Sequence, residues 1–447
     1  MNYGELLLSK VIEANDVNAL SRFNITVKDF MTREEKDAYI FIKEYAEQNR
    51  NNAPDYRTLV NAVPNFNYRE NVSDSFEYMG RKLKEYGTQV HVMELLQGKA
   101  SENFSTMDGF KYIDWLKQEL ENIKGQANYR TKVGTDLVND TEDYLAEYQK
   151  RKIGDSFKVW KSSFPKMNEI TGGYLSGNVY TWYGRSGRGK SVFTMVEAIE
   201  SAMQGATVLI WAMEMSKYEW LSRAYSYISA KQELISHKIN GTSYTAGFTT
   251  NKLLRGELDH VDEDAFVEFL RNLNNLIKGR IIIRAVDDVD FYHRGTAQLE
   301  SDILQVKADV VVIDPIYYMD YERNTSNTAG GDVANTSKKI RHIAGHTKAV
   351  IHVITQAEEV KDDRDEVGNR ILKAPKRAEI KKTKAVLEDA VNTFGIDTVD
   401  GRFLIEIGKG RNGGEGEKIE GTFLPAIGLV KQFTAEELAE EFEDFGF

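Results

Sequence analysis

Cysteine is absent from this 447-residue sequence. That excludes disulfides, thiol nucleophiles and the Cys-ligated zinc sites of many DNA-binding and primase modules. Histidine is scarce, with seven in all. His342 and His346 have the i, i+4 spacing of two ligands on one helix, but Ile343 follows the first, so the HExxH zinc pattern fails. A helix surface, solvated or facing a ligand, is the expectation for that pair. No stretch approaches the ~20 apolar residues that a membrane span requires. The opening MNYGELLLSKVIEAND has only a run of three leucines, too short for the apolar centre of a signal peptide. A soluble, cytoplasmic protein is therefore expected. Positive charge is not in excess either: 58 Lys and Arg stand against 69 Asp and Glu, a net charge of −11. A surface that is basic throughout is excluded. A local basic stripe is not, because salt screens charges over about 10 Å.

What is present divides the chain. At 41% hydrophobic residues and this length, two or three domains can each bury an ordinary core. Residues 1–125 read as helical, with apolar residues spaced by three and four over Arg33–Gln48 and Gly109–Ile123 and breaks at Asn51–Pro54 and Pro64–Asn67. Residues 126–156 read as a linker containing an amphipathic helix over Asp136–Lys152. Its face of Leu137, Tyr144, Leu145 and Tyr148 suits packing on its own chain or on a neighbouring subunit equally. From 157 to 433 short apolar runs (Val179–Tyr183, Val208–Ala212, Ile281–Ala285, Val310–Ile313, Val350–Thr355, Phe403–Ile407) alternate with helical segments such as Val192–Gln204, Glu263–Leu276, Ala297–Lys307 and Val333–Thr347. That alternation predicts a mostly parallel α/β sheet. Residues 434–447 form an acidic tail.

The sharpest chemical signal is GRSGRGKS at 184–191, which fits the P-loop pattern G-x-x-x-x-G-K-[ST]. Gly184, Gly187 and Gly189 let the backbone bend and aim N–H groups at phosphate oxygens, with Ser186 and Arg188 between them. Lys190 suits the β and γ phosphates, and the Ser191 hydroxyl suits Mg²⁺. The strand before it and the helix after it are the right context for an ATP site. In VVVIDP, four apolar β-formers run into Asp314, as a Walker-B strand places its acid beside the metal. Glu214 ends the strand after the P-loop helix, and Gln356 ends VIHVIT. The carboxyl ends of adjacent parallel strands share one crevice, so Glu214 suits the attacking water and Gln356 the γ-phosphate. Polar residues that merely end strands near solvent remain the alternative for both.

In the order of these motifs the chain resembles the DnaB-like replicative helicases. FPKMNEITGGYLSGNVYTWYGRSGRGKS resembles that family's entry into its P-loop, and WAMEMSKYEWLSRA the segment with its catalytic glutamate, here Glu214. VVVIDPIYYM resembles its Walker B, SKKIRHIAGHTKAVIHVITQ the segment ending in its sensor glutamine, and IGKGRNGGEG at 407–416 its hairpin. The stretches DFMTREEKDAYIFIKEYAEQ and PDYRTLVNAV resemble its helical N-terminal domain. The resemblance implies an all-α N-terminal domain and an α/β RecA-like P-loop ATPase domain. It also implies a homohexameric ring translocating 5′ to 3′ on single-stranded DNA, with ATP and Mg²⁺ as cofactors, and Lys409 and Arg411 reaching a neighbour's ATP. Primase, a helicase loader and a replicative polymerase are the partners to be considered, and the divergence suggests a phage-encoded member. Two alternatives stay open: a RecA-type recombinase, and a non-motor ATPase acting as a loader or scaffold.

One segment departs from the family pattern. EIKKTKAVLEDA at 379–390 aligns with a small, glycine-containing DNA-contacting loop, yet Lys381 falls at a contacting arginine and Lys384 at a glycine. Between 370 and 384 stand seven basic residues (Arg370, Lys373, Lys376, Arg377, Lys381, Lys382, Lys384) and one acidic, Glu379. This is the local basic stripe, a candidate DNA-binding surface with a solvated charge run as the alternative. In the tail, six acidic side chains are interspersed with Phe442, Phe445 and Phe447. A frayed terminus and a docking tail for a basic partner are both compatible with that pattern.

Overall fold

The computed structural model describes residues 2–126, 135–239, 241–324, 328–359, 364, 368–381, 384–411 and 413–437. Lys382, Asn412 and tail residues 438–447 lie outside them. The chain forms two compact units, residues 1–143 and 144–447.

The first unit is helical. Its helix over Arg33–Gln48 starts where the sequence pattern predicts because Thr32 and Glu35 cap it reciprocally. The Glu35 amide donates to Thr32 Oγ1 at 3.2 Å, and the Thr32 amide to Glu35 Oε2 at 2.9 Å, which satisfies two donors that the helix itself cannot. Ala38 and Ile42 of this helix pack with Leu8, Val11, Leu59, Met79 and Leu83 into the unit's core. One charge pair is buried beside that core, Lys84 Nζ to Asp29 Oδ2 at 2.8 Å. The helix expected over Asp136–Lys152 is shorter, Thr141–Lys152. The Asp136 carboxylate accepts the amides of Val138 and Asn139, a local turn that competes with helix. Leu137, Tyr144, Leu145 and Tyr148 are all exposed.

The second unit is built on strands β1 (Val159–Trp160), β2 (Tyr174–Leu175), β3 (Val179–Gly184), β4 (Thr207–Ala212), β5 (Ile235–Ile239), β6 (Thr242–Ala246), β7 (Arg280–Ala285), β8 (Val310–Asp314), β9 (Val350–Gln356), β10 (Asn392–Val399), β11 (Arg402–Gly410), β12 (Lys418–Leu424) and β13 (Leu429–Gln432). Nine of them form one sheet in the order β13-β12-β11-β10-β3-β9-β8-β4-β7. The stretch from β10 to β7 is parallel, and β11, β12 and β13 add on antiparallel. Apolar runs form the central strands because both faces are covered. In β4, Val208, Ile210 and Ala212 point into one core while Leu209 and Trp211 point into the other. In β8, Val310 and Val312 alternate with Val311 and Ile313 in the same way.

In this unit one expected helix needs correction, and one strand escapes the sequence pattern. The helix read over Glu263–Leu276 is two, His260–Arg271 and Leu273–Leu276. Asn272 separates them, its side-chain amide donating back to the Glu268 carbonyl at 3.2 Å. Strand β10 did not register as an apolar run because Asn392, Thr393, Asp397 and Thr398 are polar, yet all four are buried between β3 and β11.

The helix following the P-loop, Lys190–Met203, buries Glu197 completely. Burial pushes this carboxyl from its ordinary 4.5 up to about 8, against the opposing hydrogen bond from Ser162 Oγ at 2.9 Å. The folded chain therefore keeps a proton that the unfolded chain releases. Its favourable contribution is fully present below about pH 4.5, declines as pH rises and stops declining above about 8. Within that window the slope from this group approaches about 1.4 kcal/mol per pH unit. Glu197→Gln, neutral at every pH, should leave the fold intact and flatten the decline in thermal stability between about pH 5 and 8 by roughly that slope. An unchanged pH profile of unfolding would show that Glu197 is ionised in the folded protein.

Candidate functional site

The parallel strands set the site. The sheet order brings the carboxyl ends of β3, β9, β8 and β4 side by side, with Gly184 opposite Gln356 and Ala212 opposite Asp314. This is the crevice where open α/β sheets bind ligands. A cavity of about 620 Å³ opens there, lined by Ser186 to Ser191, Glu214, Asp314 and further residues described below.

The loop 184–190 turns from β3 into the helix Lys190–Met203. Gly187 and Gly189 take φ of +67° and +80°, conformations that side chains resist. At Gly189 a Cβ would also lie 2.5 Å from the Phe423 ring. Lys190 is buried at the first helical position, and its Nζ donates to the Arg185 carbonyl at 2.7 Å. Burial lowers its pKa, Asp314, Glu214 and Glu359 oppose that shift, and Lys381 adds to it. Ser191 Oγ donates to Asp314 Oδ1 at 3.0 Å. Asp314, 3% exposed at the end of β8, is raised from 3.8 to about 6, by burial first and then by the nearby Glu214 charge, while Ser191 and Lys190 hold it down. It is thus largely ionised at neutral pH. A buried carboxylate beside a P-loop hydroxyl is a fitting donor pair for Mg²⁺, which takes few protein ligands and completes its shell with phosphate and water oxygens.

Glu214 lies just beyond the end of β4, exposed on the cavity wall. Gln356 ends β9 beside Gly184, and its carbonyl accepts the Lys381 amide at 3.1 Å. Gln356 is not among the residues lining the cavity, whereas Ile354 of the same strand is. Four polar residues not singled out in the sequence do line it: Glu219, Arg223, Tyr227 and Tyr317. Arg223 stands on the helix after Glu214, paired with Glu219 at 2.7 Å. Burial and the neighbouring Glu214 raise the Tyr317 hydroxyl well above its ordinary range. Part of the wall is apolar, with Met195, Phe423, Pro425 and Val430.

The remaining candidates lie around this crevice. Lys409 Nζ donates to the carbonyls of Leu387, Glu388 and Ala390 at 3.2, 2.6 and 2.7 Å, so it braces its own chain. Arg411 is exposed just beyond the end of β11. In the basic segment, Arg370 is turned onto Asp397, itself 1% exposed, and donates to the Thr398 carbonyl at 2.8 Å. Its charge is neutralised inside the fold rather than added to a surface stripe. Arg377 pairs with Glu415 at 3.2 Å, while Lys373, Lys376 and Lys384 are exposed and Lys381 is half-buried. Arg188 stands 3.7 Å from Asp397. The His342 and His346 rings lie 5.6 Å apart, and His346 Nε2 is 2.9 Å from a Glu300 carboxylate oxygen.

A P-loop at the switch point of a mostly parallel sheet, with an acid at the end of β8, the next strand but one, defines an ATPase domain of the RecA-like class. Residues 160–417 match the family model of the DnaB-like helicase C-terminal domain, and the chain belongs to the DnaB-like replicative helicases. A solved DnaB-like replicative helicase, described together with its interactions with primase, aligns over 96% of this chain and 98% of that one, with a TM-score of 0.67 at 14% identity. The solved ATPase domain of a phage helicase aligns over 67% of this chain and 100% of its own, with a TM-score of 0.51 at 15% identity. At such identities the likeness is one of fold: a helical N-terminal region followed by the RecA-like sheet. No curated protein matches the sequence. Among the described residues, no helix is long and apolar enough to cross a membrane.

Proposed function

We propose that this chain is the protomer of a hexameric replicative helicase that hydrolyses ATP to move 5′ to 3′ along single-stranded DNA. The observation that carries the reading is the convergence of Lys190, Ser191, Asp314 and Glu214 on one crevice, next to the end of β9, where Gln356 and Ala357 are bonded to Lys381 and Ile380 of the basic segment. In this reading Lys190 and the loop amides hold the phosphates. Ser191 and Asp314 hold Mg²⁺, whose charge neutralises phosphate oxygens when it is bound. Glu214 orients and deprotonates the attacking water, and Gln356 relays the state of the phosphates. Arg411 enters the neighbouring protomer's site. Contact with a primase, loader or polymerase belongs to the same proposal. Strand displacement tests it: with ATP, the protein should unwind a fork bearing a free 5′ single strand and not one bearing only a 3′ strand. ATP hydrolysis without displacement of either would favour a loader or scaffold, and filaments with strand exchange a recombinase.

Lys373, Lys376, Lys381 and Lys384 are the proposed phosphate contacts, with Lys382 beside them in the sequence. Neutralising Lys376 and Lys384 together should weaken binding to all single-stranded sequences alike. The log–log salt slope should also flatten by roughly 0.7 per lost contact. A changed sequence preference at unchanged salt slope would assign these lysines to bases instead.

A further inference from the structure

The P-loop is engaged by a carboxylate from its own chain. Glu359, three residues past Gln356, accepts a hydrogen bond from the Ser186 amide at 2.9 Å. In a P-loop, the backbone amides are what bind phosphate oxygens. An amide carries one hydrogen, so a phosphate oxygen and the Glu359 carboxylate compete for it, and both bring negative charge to the same place. The contact is not isolated. The Ala357 amide donates to the Gly184 carbonyl at 3.1 Å, and the Lys381 amide to the Gln356 carbonyl at 3.1 Å. Ala357 and Ile380 form an antiparallel bridge. Arg185, the residue before Ser186, pairs with Glu379 at 2.8 Å. Residues 356–359 and 379–381 are thus clamped to each other and to residues 184–186, and the clamp carries Lys381. Lys190 senses both ends of it, since Glu359 and Lys381 act on its charge in opposite directions.

We propose that Glu359 is an internal competitor for the nucleotide phosphates at the P-loop, and that its displacement loosens the 356–359/379–381 clamp and so couples nucleotide binding to the basic segment. The proposal rests on the P-loop being the nucleotide site. While Glu359 holds the Ser186 amide, phosphate binding costs the loss of that contact, and the observed affinity falls accordingly. By linkage, anything that pulls Lys381 and its neighbours away from the P-loop tightens nucleotide binding, and nucleotide tightens that partner by the same factor. Single-stranded DNA, a chain of phosphates, is the partner whose chemistry suits a lysine-bearing segment. The contact itself lies at exposed residues, so Glu359 contributes little to the core and can be changed without unfolding the domain.

The test is titration of the full-length protein with a fluorescent ADP analogue, with and without an oligothymidylate, in the wild type and in Glu359→Ala, Glu359→Gln and Lys190→Ala. Glu359→Ala should bind the analogue about three- to tenfold more tightly, the scale of one charge-assisted hydrogen bond discounted for exposure. Glu359→Gln, which keeps an acceptor without the charge, should fall between. The factor by which the oligonucleotide changes nucleotide affinity should shrink toward one in both. Unchanged or weaker binding in both Glu359 variants, with Lys190→Ala losing affinity, overturns the competitor and leaves the nucleotide site standing. Tighter binding with an undiminished oligonucleotide effect overturns the coupling. Full affinity in Lys190→Ala overturns the nucleotide site itself.

Discussion

Lys190→Ala and Glu214→Gln should each bring steady-state ATP hydrolysis to background, but only the first should weaken nucleotide binding. The difference follows from where each side chain sits. Lys190 is buried under the loop, with its ammonium 2.7 Å from a loop carbonyl; in the proposed reading it meets phosphate oxygens in the ground state. Removing a charged hydrogen-bond partner costs about 1.5–3 kcal/mol, hence roughly ten- to a hundredfold in nucleotide affinity. Glu214 is exposed on the cavity wall and has Asp314 and Lys190 as electrostatic neighbours. A group that handles water acts in the transition state, where a positioned base contributes about 10²–10⁴-fold. Glu214→Gln keeps the shape and removes the basicity, so nucleotide should bind as in the wild type. Equal losses of affinity in the two variants would mean that Glu214 is a ground-state phosphate or metal contact. Wild-type turnover in Glu214→Gln would move the role of base to another residue, with Glu219 on the same cavity wall next in line.

Much of this site is visible in the chain before any folding is considered, for a physical reason. A phosphate cradle needs consecutive amides and glycines, so residues 184–191 must be contiguous. A strand buried on both faces must be apolar up to the residue that meets solvent or ligand, so β8 announces Asp314. What is not contiguous is not visible. Arg223 and Tyr317 lie within recognisable segments, beyond Glu214 and Asp314, but no residue pattern there tells which polar side chain reaches the cavity. Glu359 sits among other charged residues, and only the bridge between Ala357 and Ile380 reveals its relation to Ser186. The polar strand β10 was lost because alternation and apolar runs are the signals of strands, and a strand that buries Asn392, Thr393 and Asp397 shows neither. The basic segment misleads in the opposite sense. Arg370 contributes to its linear charge, yet β10 offers Asp397 as a buried partner, and the pair removes that charge from the surface.

Arg411→Ala should also abolish turnover, yet mixing it with Lys190→Ala should restore part of it. Arginine fingers supply roughly 10³–10⁵ in turnover in switch GTPases, so a loss of at least about a thousandfold is the scale to expect. The case for Arg411 acting on a neighbour begins with Lys409. Lys409 lies near the end of β11 and Arg411 just beyond it, but Lys409 turns inward onto three carbonyls of residues 387–390, while Arg411 is left exposed. Its backbone is fixed, the Arg411 amide donating to the Val391 carbonyl at 3.1 Å. The guanidinium is therefore presented from a braced support, as a finger that must not pay for its own ordering at each turnover. Arg411 does not line its own protomer's cavity. In a mixed ring, an interface that pairs the intact P-loop of an Arg411→Ala subunit with the intact Arg411 of a Lys190→Ala subunit has every part. Random mixing makes a share of the interfaces complete in this way, and that share is largest when the two variants are equally abundant. Turnover should rise well above that of either parent and be greatest near equal proportions. Lys409→Ala should behave differently, lowering thermal stability through the released carbonyls and showing no recovery on mixing. If mixed rings form and turnover stays at the parental level at every ratio, Arg411 serves its own protomer, and the proposed interface between ATP and neighbour is wrong.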